Sequence, residues 1–136
     1  MDDILKTLRV SAAGMKTQGT RLRVIAENIA NSDSLPTAAG NDPYRRKFVT
    51  FKNALDRSLG IELVQVDSIK RDPSAFGKSF DPHHPAADAE GYVQTPNVNS
   101  LIETMDMREA QRSYEANLSV IRTTKRMLQA TIEVLR

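Results

Sequence analysis

The sequence predicts a mainly α-helical protein with a small β element: long N- and C-terminal helices form a coiled-coil-like terminal domain, and a β-rich insertion lies between them. Three observations predict it. Apolar residues recur at alternating spacings of four and three at both ends of the chain. The middle is broken by Pro, Gly, Asn and Asp around short β-branched runs. Aromatic residues make up only 5% of 136 residues, with no Trp, which is a poor supply for a large compact core.

At the N-terminal end the recurring positions are Ile4, Leu8, Ser11, Met15, Gln18, Leu22, Ile25 and Ile29. This heptad-like stripe has two polar interruptions and predicts one helix over residues 3–31. The helix runs out through "VIAENIANSDS", Val24 to Ser34, where Asn28 and Asn31 mark the exit or hinge. "SLPTAAGNDPY" follows as a linker by its turn-forming content. "RKFVTF" and "IELVQVDSIK" read as strands, and "GYVQT" as a short strand before the last helix. "RDPSAFGKSFDPHHPAADAEG" reads as loop.

The last helix is predicted over about 98–135 by Tyr114, Leu118, Ile121, Lys125, Leu128, Ile132 and Leu135. Val98, Leu101, Ile102, Met105 and Ala110 extend it backward on a slightly rotated stripe, and "SLIE", Ser100 to Glu103, fits a capping box. The expected division is therefore 1–34 with 97–136 as the terminal helical domain, and 35–96 as the middle one. At 1.5 Å per residue the helices would be about 40 Å and about 55 Å long. A compact domain of this size has a radius of gyration of only about 14 Å. The two stripes can cover part of each other, and other subunits are expected to cover the rest.

Several function classes lose their footing on composition. Residues 1–34 hold five basic and four acidic side chains, 35–96 eight of each, and 97–136 six and five. No third concentrates the positive charge that a nucleic acid demands. The short basic run Arg45-Arg46-Lys47 either docks an acidic surface or protects a solvent-facing strand edge. The chain has no cysteine, so disulfide and thiolate chemistry are absent. "MDDILKTLRVSAAG" lacks the layout of a secretory signal, and no stretch approaches the ~20 apolar residues of a membrane span.

Three local signals read better as structure than as chemistry. "GMKTQGTR" has the glycine spacing of a phosphate loop but lacks its lysine and the preceding strand. A helical glycine costs up to ~1 kcal/mol, which close approach of a neighbouring helix can offset. In "DPHHP", His83 and His84 are adjacent and no further His or Cys completes a metal site, so the string reads as turn. Asn117-Leu118-Ser119 matches a glycosylation acceptor but lies mid-helix. No nucleophile and base can be paired, so neither an enzyme nor a cofactor is expected; an active site would have to be built around His83 and His84.

Longer strings carry a family resemblance. "AAGMKTQGTRLRVIAENIANSDS", "DPYRRKFVTF" and "DPHHPAADAEGYVQTPNVNSLIETMDMREAQRSYEANLSVIRTTKRML" together resemble the bacterial flagellar rod proteins. The first string is common to flagellar axial proteins; "PYRRK", "GYV" and "PNVN" point to the proximal-rod branch. The resemblance implies a structural subunit without catalytic activity, cofactor or small-molecule substrate. It implies partners among other rod proteins, membrane-ring adaptor proteins and further copies of the chain, with the type III export apparatus as a transient one. It also implies a place in the basal-body rod across the periplasmic space, reached without a cleaved signal peptide.

Carried over by position, the assembly interface would comprise Ile4, Leu8, Met15, Leu22, Ile25 and Ile29, facing Tyr114, Leu118, Ile121, Leu128, Ile132 and Leu135 or a neighbouring subunit. Asn28 and Asn31 would bond backbone or neighbouring subunits. The rival from another class is a cytoplasmic helical adaptor or flagellar export chaperone, which would also carry amphipathic terminal helices.

Overall fold

The computed structural model describes residues 2–135. Helix α1 runs Asp2–Ala30, followed by strands β1 Lys47–Asp56, β2 Ile61–Arg71, β3 Gly77–Phe80 and β4 Tyr92–Thr95, and helix α2 spans Ser100–Val134. The long helices and the β-rich middle match the fold read from the sequence. Two local readings need correction. β3 lies inside the segment expected to be loop: its residues pair antiparallel with β4, from Gly77 opposite Thr95 to Phe80 opposite Tyr92. The cap of α2 is Asn99 rather than Ser100, because Asn99 Oδ1 accepts from the backbone N–H groups of Leu101 at 3.1 Å and Ile102 at 3.3 Å. Glu103 is thereby free of any capping duty.

The chain divides into two compact units, each drawing on both helices and on the middle. The first comprises Met1–Leu22, Val49–Ser68 and Arg108–Arg136. Here α1 and α2 run antiparallel. Gly14 lies against Asn117 and the Arg21 guanidinium stands 3.8 Å from Glu109, so ascending α1 means descending α2. The contact line is built from small and polar residues. Ser11 and Thr17 on α1, and Ala110 and Thr124 on α2, are buried. A Cβ on Gly14 would stand 2.8 Å from Asn117 Nδ2. Small side chains let the two backbones approach closely, which displaces the large aliphatic side chains to the flanks. The contact is therefore rotated from the stripe the periodicity suggests: Lys125 is exposed and Thr124 is buried.

In the same unit β1 and β2 are joined by four residues, short enough that the pair must be antiparallel. The turn follows from two residues. Asp56 Oδ1 accepts from the Ser58 N–H at 2.9 Å, and Gly60 adopts φ 63° while its N–H bonds Asp56 O at 2.8 Å. Thr50 and Ser68 hydroxyls at 2.9 Å, and Lys52 with Asp67 at 3.4 Å, tie the strands together.

The second unit comprises Arg23–Phe48 and Ile69–Met107. Its apolar centre is small: Val24, Ile25, Ala86 and Val93, with Pro36, Pro43 and Pro96 also buried. Phe80 and Tyr92 meet edge to face at 5.3 Å. The segment 81–91 that joins β3 to β4 folds as successive turns. His84 N–H bonds Asp81 O, His84 Nδ1 accepts from the Ala86 N–H at 3.0 Å, and Asp88 Oδ1 accepts from the N–H groups of Glu90 and Tyr92. The paired histidines are thus turn residues, as their neighbours suggest. Among the described residues no group of His, Cys, Asp and Glu is arranged to hold a metal, and no helix is long and apolar enough to cross a membrane.

The two glycines of "GMKTQGTR" behave differently, and substitution separates them. Gly14 faces Asn117, whose Nδ2 already donates to Ser113 O at 2.9 Å, so a methyl group there forces that amide to move. Gly19 has nothing within 4 Å among the described residues. Gly19→Ala is expected to stabilise the helical state by up to about 1 kcal/mol through propensity alone. Gly14→Ala is expected to lose about 1 kcal/mol to overpacking. Urea midpoints followed by helical circular dichroism check the ordering.

Candidate functional site

The site is a polar clasp in the second unit, and it begins at the exit of α1. Asn28 is fully enclosed. Its Nδ2 donates to Lys47 O at 2.7 Å and to Glu103 Oε2 at 3.0 Å. Its Oδ1 accepts from Lys47 N–H and Tyr44 O–H, both at 2.9 Å. An amide has two donor hydrogens and two acceptor lone pairs, and all four are used. Because it pairs with both backbone groups of Lys47, the side chain acts as one more rung beside the start of β1. Asn31 has a local task instead. Its Nδ2 donates to Glu27 O at 2.9 Å and its Oδ1 accepts from Ser34 Oγ at 3.1 Å, closing the helix end. Both asparagines therefore bond within their own chain.

Glu103 is the clasp's second enclosed member, on the first turn of α2. One carboxylate oxygen accepts from Asn28, and the other accepts from the Arg46 Nε–H. Burying this carboxylate alone would cost several kcal/mol, which the guanidinium and the amide offset. Arg46 also reaches Asp72 Oδ2 at 3.4 Å and Asp106 Oδ2 at 3.9 Å. Burial alone would lower its pKa, but the hydrogen bond and charge of Glu103, with Asp72 beside it, outweigh that and raise it.

The backbone around Arg46 is pinned as well. Its N–H donates to Asn97 Oδ1 at 2.7 Å, and Asn97 Nδ2 donates to Asp72 O at 3.2 Å and Ser74 O at 3.1 Å. Arg45 donates to the same two carbonyls, at 2.8 and 3.0 Å, while its guanidinium lies 4.1 Å from the Phe76 ring centre. Lys47 Nζ pairs with Glu27.

Each cation of the basic run Arg45-Arg46-Lys47 thus has partners within its own chain. All three cations are engaged inside the unit, by acids and carbonyls far away in sequence. Tyr44 completes the group: burial first, then the charges of Glu27 and Glu103, pushes its hydroxyl up to about 12.

The aliphatic residues expected at the assembly interface are placed around this frame unevenly. Ile25 is buried. Ile4, Leu8, Met15, Leu22 and Ile29, and Tyr114, Leu118, Ile121 and Leu128, are half-buried on the flanks of their helices. Ile132 is 58% and Leu135 83% exposed. Leu101, Ile102 and Met105, read as a stripe continuing the helix seam, face outward because Glu103 takes the inward position between them. The sequence did not single out Tyr44 or Asn97, and it marked Arg46 only as part of a basic run and Glu103 only as a capping-box residue. The strings "PYRRK" and "PNVN" contain three of them, and only their polarity beside a helix start hinted at a role.

The family described as Flagellar basal body rod FlgEFG protein C-terminal matches residues 89–134, which include Glu103 and all of α2. The chain is 48% identical over 136 residues to the flagellar basal-body rod protein FlgC of Agrobacterium fabrum, covering 100% of this chain and 98% of the relative. It is 36% identical to FlgC of Bacillus subtilis, covering 94% and 95%, and 34% identical to FlgC of Salmonella typhimurium, covering 95% and 96%. The chain belongs to the FlgC family of flagellar basal-body rod proteins, and it is a structural subunit of that rod.

The clasp generates two expectations. Asn28→Ala leaves a buried carboxylate, a strand N–H and a strand C=O short of partners, and is expected to cost about 3 kcal/mol or more. Denaturant unfolding of the purified chain measures it. For Tyr44 the folded pKa of about 12 lies above the ordinary value of 10.0, so its neutral form is the one the fold favours. Its contribution is therefore complete below pH 10 and is lost as pH rises from there through 12. Stability should fall over that window, and Tyr44→Phe, which cannot ionise, should flatten the fall.

Proposed function

We propose that this chain is a proximal-rod subunit, held in the torque-transmitting shaft by its terminal helices, 1–34 and 97–136. In this reading residues 35–96 form a middle module carried on the shaft. One observation carries it: the distribution of apolar surface. Among the described residues Val24, Ile25, Ala86, Val93 and Ala110, with Pro36, Pro43 and Pro96, are the buried apolar side chains. Leu101, Ile102, Met105, Met127, Ile132, Val134 and Leu135 are each more than half exposed, all on α2 or at its end. A soluble monomer rarely presents apolar surface in such concentration, and interaction surfaces do.

A shaft needs stiffness along its axis and many lateral contacts, and long helices with periodic apolar flanks supply both. The interface comprises the flanking residues Ile4, Leu8, Met15, Leu22, Ile29, Tyr114, Leu118, Ile121, Leu128, Ile132 and Leu135, with the buried Ile25 supporting them from the core of its own unit. The partners are other rod proteins, membrane-ring adaptor proteins and further copies of the chain. The chain crosses to the periplasmic space through the flagellar export apparatus, met transiently and without cleavage of a signal peptide. No catalytic step, cofactor or nucleic acid enters this role.

Leu22→Asp or Leu128→Asp places a charge where an apolar contact is needed, which is costly when the contact closes. Either variant is expected to be expressed and folded yet missing from purified basal bodies, with swimming abolished. Normal incorporation of both would overturn the helical interface. A chain retained in the cytosol of cells with a working export gate, bound reversibly to one client, would instead identify an adaptor or chaperone.

A further inference from the structure

The cations of the basic run are not all neutralised. Arg46 and Lys47 reach carboxylates, but Arg45 reaches only the carbonyls of Asp72 and Ser74. Both of those bonds leave from Nη1, whose two hydrogens are thereby used. Nε and Nη2 keep three N–H groups with no acceptor among the described residues, including the edge that grips an oxyanion in bidentate fashion. The same guanidinium rests 4.1 Å from the Phe76 ring centre, so its plane is fixed before any ligand arrives. A half-buried guanidinium held by neutral carbonyls alone is a charge still short of a counter-ion.

Arg45 lines a recess of about 250 Å³ in the second unit, beside the buried Pro43 and the rings of Tyr44 and Phe76. Lys47 and Arg71 supply two more cations to it. The Asp72 N–H bonds Arg46 O at 2.8 Å, which sets the end of β2 beside the start of β1 and so brings these residues together. Arg71, the last residue of β2, is exposed and has no hydrogen bond or ion pair among the described residues. Lys47 is already matched by Glu27, and its Nζ lies 5.9 Å from the Tyr44 ring centre. Asp42 also lines the recess, exposed and likewise without a hydrogen-bond or ion-pair partner. Three cations thus face two carboxylates, and one positive charge is unmet.

We propose that this recess binds a phosphoryl group that still carries a proton, as hydrogen phosphate does. The free Arg45 edge and the five N–H groups of Arg71 take its ionised oxygens, and Lys47 adds a further donor. Asp42 is an acceptor in a site otherwise made of donors. It takes the remaining O–H, which sulfate, fully ionised near neutrality, does not have. Its carboxylate repels a bare oxyanion, so the same residue selects phosphate over sulfate. The filled site ties residues 42–47, the end of β2 and Phe76 together, and it steadies the clasp without using Asn28 or Glu103. It works on a single chain and does not depend on how chains assemble. A free phosphate and a monoester headgroup on a membrane surface offer the same group.

The test is calorimetric titration of the purified full-length chain with inorganic phosphate at low salt and about pH 6, where phosphate and its monoesters both keep a proton. A single saturable site is expected, with sulfate about tenfold weaker or more and chloride giving no heat of binding. Arg71→Gln, whose original side chain bonds nothing in the fold, is expected to weaken phosphate about tenfold or more with unchanged circular dichroism. Arg71→Lys should recover part of that loss. Asp42→Asn is expected to raise sulfate toward phosphate and to leave phosphate bound, a change of preference that surface charge alone would not produce. No saturable uptake of phosphate up to about 10 mM, equal affinity of the wild type for sulfate, or unchanged phosphate binding by Arg71→Gln would each overturn the proposal. Phosphatidylcholine vesicles doped with phosphatidic acid name the source. Co-sedimentation that phosphate competes away and Arg71→Gln loses identifies the headgroup; phosphate binding without co-sedimentation identifies the solute.

Discussion

A single enclosed amide is the constraint on which the second unit depends. Asn28 has no exposed surface, and each of its four hydrogen-bonding positions is taken by a different atom of Tyr44, Lys47 or Glu103. Such a group cannot be shifted by one residue along α1 without leaving buried donors and acceptors unpaired, at a cost of about 1–3 kcal/mol each. An apolar contact of similar area would tolerate that slip. The register of α1 against β1 and against the first turn of α2 is therefore set by polarity rather than by packing. The small core of Val24, Ile25, Ala86 and Val93 could not set it alone.

The first unit follows the same economy by different means. Its helices meet through Ser11, Gly14 and Thr17 on one side and Ala110, Asn117 and Thr124 on the other. These residues bury little apolar area per residue, so the contact gains from closeness more than from hydrophobic transfer. The larger aliphatic residues are left where a partner can reach them. A chain that placed Leu8, Met15 and Leu22 in its own seam would be a more stable monomer and a poorer subunit.

The sequence made the elements legible and left their orientation hidden. Recurrence at four and three predicts that a helix exists and how far it runs, and both helices fall within a few residues of their expected ends. It does not say which of several apolar lines is covered by the same chain. Both helices carry more than one such line, and the periodicity favoured the line with the larger residues. β3 was invisible because Gly77, Lys78 and Ser79 carry no strand preference; its pairing is lent by Tyr92–Thr95. Arg45-Arg46-Lys47 showed only the sign of its charge. The groups that neutralise Arg46 lie 26 and 57 residues away, at Asp72 and Glu103, and no local pattern announces them. Asn28 did stand out as surplus polarity at a helix exit, because α1 needs only one amide to close its end and Asn31 already provides it.

What emerges is a division of labour by interaction type. Directional polar bonds need defined partners at defined distances, so they specify one fold from one chain. Periodic apolar lines are less demanding: a line repeating every seven residues presents the same surface after a two-turn shift. That tolerance would be a fault inside a domain, where one register must win. Between subunits stacked along a shaft it is useful, since neighbours can settle into the offset that their other contacts require. The placement of Asn28, Glu103 and Arg46 inside, and of Val120, Met127 and Val134 outside, follows that logic. A substitution that moves a polar residue outward or an aliphatic residue inward exchanges assembly for fold, or fold for assembly.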